Sequence, residues 1–314
     1  MKLFFNYSID CETPLNTAYT GGSEREPFFG GPATWDDAER SVRGFVAQMH
    51  SLGVRDGASL FVYPDVAREQ NRLFREMSDA GVEIALHLNG LRYSRLTGAP
   101  AKWLGAMSSD EQRDALRIAK ADLEDSIGRT CLGYRACYGS ANHDTFAICD
   151  ELGFQWTSNA SGRQRPEFYA DWRGSCPYPH RTNRHSNRVP GDLRLYEIPV
   201  TRGLTVFYGS DPNQPLDLRA ETPTSIIGED RRQLRRVIEE NILEMCRRAE
   251  PVRAIVGVSH NTNPFGDRNT TPACNLQCFV EHVQDLATEH ELDLVPAPFN
   301  TIAREADRLE QSIR

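Results

Sequence analysis

The chain has 314 residues, 39% of them hydrophobic and 25% charged, with a formal net charge of -8. That balance supports a packed core, and the acidic excess leaves no basic field to hold nucleic acid or an anionic membrane. No apolar run approaches bilayer-spanning length, residues 1–9 lack signal-peptide character and the eight scattered cysteines read as free thiols, so a cytoplasmic protein is expected.

Apolar, β-branched runs alternate with segments of helical period, the pattern of β/α units around a parallel sheet. Residues 3–9 predict the first strand. The loop that follows, 14–32, holds Gly21, Gly22, Gly30 and Gly31 and is long enough to act as a lid. Thr34 with Asp37 three residues later marks a helix start, and Ala38, Val42, Phe45, Met49 and Leu52 form its apolar stripe up to Gly53. A strand at 59–63, a helix over 65–80 and a strand at 82–86 come next. Ser108 with Glu111 opens a further helix, which Gly128 ends, and strands are expected at 132–134 and 154–157.

The stretch 161–191 is irregular and long for an idle connection. Between 161 and 202, Arg163, Arg165, Arg173, Arg181, Arg184, Arg188, Arg194 and Arg202 outnumber the carboxylates. They read either as a solvated loop with local salt bridges or as a lining that recognises a substrate carboxylate or phosphate. Strands at 195–200, 254–258 and 292–295 complete the series, with a helix opening at Thr271 and Pro272 on which Cys274 and Cys278 share a face. The pattern predicts one domain over 1–314, a distorted barrel of seven to eight β/α units.

Chemistry collects where these strands end. Ser8-Ile9 runs into Asp10, Ala85-Leu86 into His87, Gly133-Tyr134 into Arg135, and Val258-Ser259 into His260. One polar residue after a strand is ordinarily a loop hydrogen-bonder. Four of them should converge, because the carboxyl ends of barrel strands face one mouth. Trp103, Trp156 and Trp172 could stack on sugar rings, but such residues near strand ends are more often packing.

These residues resemble the polysaccharide deacetylases with a NodB homology domain, over most of the chain. Asp10-Cys11-Glu12 is similar to the family's Asp-x-Asp/Glu strand end, which implies Asp10 as general base and Glu12 as a metal ligand. The motif with two His four residues apart is half present, as His87 with Leu91 in the second place. Arg135-Ala136-Cys137-Tyr138-Gly139 resembles Arg-x-Pro-Tyr-Gly with Cys137 in place of Pro. It implies that Arg135 orders the base and that the Tyr138 backbone N–H helps bind an oxyanion. The strand closing on His260 implies the general acid.

The resemblance implies a hydrolase of non-peptide carbon–nitrogen bonds that deacylates an N-acylated amino sugar or a small soluble amide. Its substrate would be a small molecule or an oligosaccharide, with an anionic group as the Arg-rich stretch allows. It implies a divalent metal, zinc first and cobalt, manganese or nickel as alternatives, held by Glu12 and His87. With Leu91 unable to coordinate, His143, Asn89 or Cys11 would supply the third ligand, and the expected set is Glu12, His87 and His143. Cys11 could also be a nucleophile paired with His260, against the reading of a small residue packed beside the site. Two other readings stay open: a metal-independent amidase or cyclic-amide hydrolase, and a non-catalytic barrel that binds a saccharide or an anionic metabolite.

Overall fold

The computed structural model describes residues 1–14, 31–96 and 101–313. Of the loop 14–32 expected to act as a lid, residues 15–30 lie outside the described residues. In chain order the strands are β1 (Lys2–Cys11), β2 (Ala58–Val62), β3 (Glu83–Leu88), β4 (Gly133–Ala136), β5 (Trp156–Thr157), β6 (Gln164–Arg165), β7 (Ala170–Asp171), β8 (His180–Arg181), β9 (Tyr196–Glu197), β10 (Arg202–Phe207), β11 (Pro215–Asp217), β12 (Ala254–His260) and β13 (Asp293–Pro296). The main sheet runs β12-β1-β2-β3-β4-β5-β9-β8, with β13 also paired to β1. All of its pairings are parallel except β8 with β9. The sheet curls into a half-barrel backed by helices. Where its two ends approach, Thr201 and Leu218 meet β12 through hydrogen bonds to Val256 and Val258 rather than through a full strand. This is the expected β/α barrel, distorted on the β9 to β12 side.

Period-2 alternation explains what β1 does. Leu3, Phe5, Tyr7, Ile9 and Cys11 join the large apolar cluster between sheet and helices, while Phe4 belongs to a second cluster with Phe61, Trp156 and Phe299. The other face of β1 therefore reads Phe4, Asn6, Ser8, Asp10, apolar at the base and polar toward the mouth. At the base, Phe299 of the helix Phe299–Ile313 stacks on Trp156 at 4.7 Å, and Phe61 meets both rings edge-on. Above them Asn6 donates to Ser59, and Ser59 to Glu83. Glu83 in turn accepts the backbone N–H groups of Phe299 and Asn300, capping the helix that closes the barrel. Burial pushes the Glu83 carboxyl up to about 7 against those stabilising donors.

Gly133 in β4 leaves room for this plug: a Cβ there would lie 1.9 Å from the Trp156 ring. Gly133→Ala is expected to lower stability by about 1–3 kcal/mol through overpacking, measured as a shift of the denaturant midpoint.

The expected helix starts at Thr34 and Ser108 are present, Ser108 and Glu111 forming a reciprocal capping box. Two expectations are corrected. The helix over 65–80 is two helices, Pro64–Glu69 and Asn71–Asp79, broken at Gln70, whose backbone leaves the helical region while its amide reaches across to the Trp35 carbonyl. The helix Thr271–Glu289 takes Thr270, not Thr271, as its N-cap. Trp103, Trp156 and Trp172 are all buried as packing.

Candidate active site

Strand register assembles the site. Asp10 stands opposite His260 across the β1–β12 pair, and His87 opposite Arg135 across β3–β4. The four residues belong to the last turns of strand pairing rather than to the loops beyond. They line one cavity of about 350 Å³, together with Glu12, Cys137, Tyr138, Arg165 and Arg219.

Arg135 is fixed on every side. It donates to Asp10 Oδ1 at 2.8 Å, to Ser8 Oγ at 2.9 Å, and to the carbonyl and hydroxyl of Ser158, with its guanidinium 3.7 Å over the Phe61 ring. Burial alone would raise the Asp10 carboxyl, but His87, Arg135 and His260 outweigh it and hold the group below its ordinary range. Asp10 is thus an ionised carboxylate, able to accept a proton.

His87 has its tautomer set by a backbone group. Nδ1 lies 3.0 Å from the Arg135 carbonyl, which only accepts, so Nδ1 carries the hydrogen and Nε2 keeps its lone pair, 3.7 Å from Asp10 Oδ2. Burial lowers this imidazole to about 4 despite the pull of Asp10, so it is neutral near pH 7 and able to ligate. Its ring stacks on Tyr63 at 4.7 Å.

His260 has the opposite disposition. Burial lowers it, yet Glu221 more than compensates: the ring Nδ1 lies 2.8 Å from Glu221 Oε1, and Glu12 adds to the pull while Arg219 opposes it. The second oxygen of Glu221 accepts from Ser259. His260 therefore holds its proton more tightly than an ordinary imidazole, as a proton donor toward the cavity must. Glu221→Gln removes the charge that raises it, so the alkaline limb of a pH–kcat/KM profile, where His260 loses its proton, is expected to move to lower pH. An unmoved limb would separate Glu221 from the acid.

Glu12, two residues beyond Asp10, shares its face, and Asn261 anchors its backbone through both amide atoms. Burial pushes the Glu12 carboxyl up to about 7. Its oxygen, a His87 nitrogen and the Cys137 sulfur all lie within 4.8 Å of one another. The Tyr63 hydroxyl donates to that sulfur at 3.2 Å. A carboxylate, a neutral imidazole with its other N–H on a carbonyl, and a thiol form a donor set that fits a divalent cation such as zinc.

His143, expected from the sequence as the third ligand, lies apart from Glu12 and His87. His143 is exposed and lines a separate surface cavity with Gly105, Ala141 and Asn142. Asn142 fixes this placement, its side chain accepting from the Asp144 N–H and donating to the Gly105 and Met107 carbonyls. Asn89 is committed to the Leu91 N–H. Cys11 points into the apolar cluster on the opposite face of β1 from Asp10 and is not among the donors that meet at Glu12 and His87, which leaves it a packing residue. The third donor that the fold brings within reach of Glu12 and His87 is Cys137.

Tyr138 lines the cavity with φ 55, a left-handed backbone that a tyrosine adopts at a cost of about 1–3 kcal/mol. Its ring stacks on Phe168 at 3.9 Å, and Trp103 meets both edge-on.

Sequence reasoning missed Asp217, Arg219 and Glu221. Asp217 closes β11 and binds Arg163, Arg219 and the Tyr208 hydroxyl. Arg219 lies 3.6 Å from Glu221, which holds His260. The signal was the spacing Asp-x-Arg-x-Glu, one charged face of an extended segment.

With this geometry in hand, the family model described as polysaccharide deacetylase matches residues 33–157. The expected likeness to the polysaccharide deacetylases holds. Among solved structures, a Mycobacterium smegmatis protein assigned to the polysaccharide deacetylases aligns with a TM-score of 0.60 at 20% identity, covering 98% of this chain and 91% of that one. A probable polysaccharide deacetylase from Pseudomonas aeruginosa PAO1 gives 0.58 at 15% identity over 98% and 91% of the two chains. A Puue allantoinase gives 0.59 at 14% identity over 96% and 89%. At these identities the likeness carries the deacetylase fold. No curated protein sequence matches the chain. No helix among the described residues is long and apolar enough to cross a membrane.

Proposed function

We propose that the protein hydrolyses amide bonds, removing the acyl group from an N-acylated amine at the barrel mouth. The observation that carries this reading is the meeting of an ionised Asp10, its partner Arg135 and the imidazolium-favouring His260 in one cavity. Amide hydrolysis needs a base to activate water, a polar cradle for the tetrahedral oxyanion and an acid for the departing amine.

Asp10 takes the proton of the attacking water while Arg135 fixes its orientation. Arg135 is buried against Phe61 and saturated by its partners, so its role is positioning. His260, charged through Glu221, gives a proton to the leaving nitrogen. Tyr138 supplies the wall at which the oxyanion forms. Glu12, His87 and Cys137 would hold the divalent metal. When bound, the metal lowers the pKa of a water and polarises the carbonyl.

Incubating the metal-loaded protein with N-acetyl, N-formyl and cyclic amides, and assaying free amine and free acid, tests the reading. Equal release of both products supports it. Intact amides throughout the panel would leave a binding protein.

A further inference from the structure

Most of the Arg-rich stretch resolves into partners, and Arg184 is exposed to solvent. Arg163 pairs with Asp217, Arg173 and Arg188 with Asp171, and Arg181 with Asp307 and Glu310, while Arg202 is held by Ser175. Arg165, at the end of β6, is different. It lines the catalytic cavity, is half-buried, and among the described residues has no carboxylate or hydrogen-bond partner. Its guanidinium carbon lies 5.8 Å from the centre of the Tyr138 ring.

Of the carboxylates in and around the cavity, Glu12 belongs to the group with His87 and Cys137, and the others are paired. Asp10 is taken by Arg135, Asp217 by Arg163 and Arg219, and Glu221 by His260. Burial lowers the Arg165 pKa to about 10, with Arg219 and Arg163 adding to the fall, so it remains a cation at neutral pH. A cation that lines a cavity with no ion-pair partner among the described residues leaves its donors free for an anionic ligand.

Resting on the amide-hydrolase reading, we infer that Arg165 binds a carboxylate carried by the substrate, which makes the substrate class a small acyl-amide acid rather than a neutral amide. A single uncompensated guanidinium balances one negative charge, and its planar fork matches a carboxylate. A cavity of about 350 Å³ lies at the lower end of ligand-site volumes, enough for a monosaccharide or an acylated amino acid.

The test compares probe pairs that differ in charge: N-acetylglycine with N-acetylglycinamide, and N-acetylmuramic acid with N-acetylglucosamine. Hydrolysis by the metal-loaded wild type is expected to favour the acid of at least one pair roughly 10–100-fold in kcat/KM, the worth of one charge-assisted contact. In Arg165→Gln that ratio is expected to collapse toward one, and Arg165→Lys to restore part of it. A wild-type ratio near one, or a ratio unchanged in Arg165→Gln, would overturn the inference while leaving amide hydrolysis intact.

If no probe is hydrolysed, the amide-hydrolase reading fails, and binding by calorimetry decides the inference separately. Tighter binding of N-acetylglycine than of its amide, lost in Arg165→Gln, would support the anion site. Equal or absent binding would overturn it.

Discussion

Asp10→Asn is expected to lower kcat/KM by about 10²–10⁴-fold, the range for loss of a positioned general base. The substitution keeps shape and an oxygen that can accept from Arg135, while Ser8 and both Ser158 oxygens still hold the guanidinium. Fold and melting temperature should therefore change far less than rate. That contrast separates catalysis from structure, since Asp10 is 5% exposed and its removal could otherwise act through stability. Activity within a few-fold of wild type in a folded Asp10→Asn protein would remove the base from the account.

Cys137→Ser is expected to weaken metal binding by at least about tenfold, since loss of outer-shell partners alone produces changes of that order. Elemental analysis after dialysis against a weak chelator gives the stoichiometry. Cobalt-loaded protein gives a second readout: a thiolate-to-cobalt charge-transfer band in the wild type that disappears in Cys137→Ser. Glu12 and His87 remain, so residual binding should be that of a two-ligand site. A band that persists without Cys137, or that is absent from the cobalt-loaded wild type, would reject the sulfur ligand.

Much of the site was legible before the fold was known because it obeys the strand period. Asp10 and Glu12 lie two residues apart on one face, and His87, Arg135 and His260 each close an apolar run, so strand assignment places all of them at one end of the sheet. The eight expected strands are all present, most with ends shifted by one to three residues. The place of Cys137 beside Glu12 and His87 was not legible. Cys137 reaches Glu12 and His87 only through the turn after β4, where Tyr138 adopts a left-handed backbone, and sequence spacing does not reveal that turn. His143, only six positions further on, faces solvent instead. Glu221 was missed for another reason: it comes from the irregular segment after β11 that stands in for a barrel strand, so no apolar run announces it. The Arg-rich stretch likewise gave charge without placement, and only the coordinates separate Arg165 from its paired neighbours.

The central claim is that the Asp10–His260 cavity breaks a carbon–nitrogen bond with water. The most direct measurement is mass spectrometry of the products formed in ¹⁸O-labelled water from an acylated amine that the wild type turns over. Hydrolysis at this cavity predicts one ¹⁸O atom in the released acid, none in the amine, and labelled acid formed about 10²–10⁴-fold more slowly by Asp10→Asn. Unlabelled acid, or label appearing at the same rate without Asp10, would contradict it.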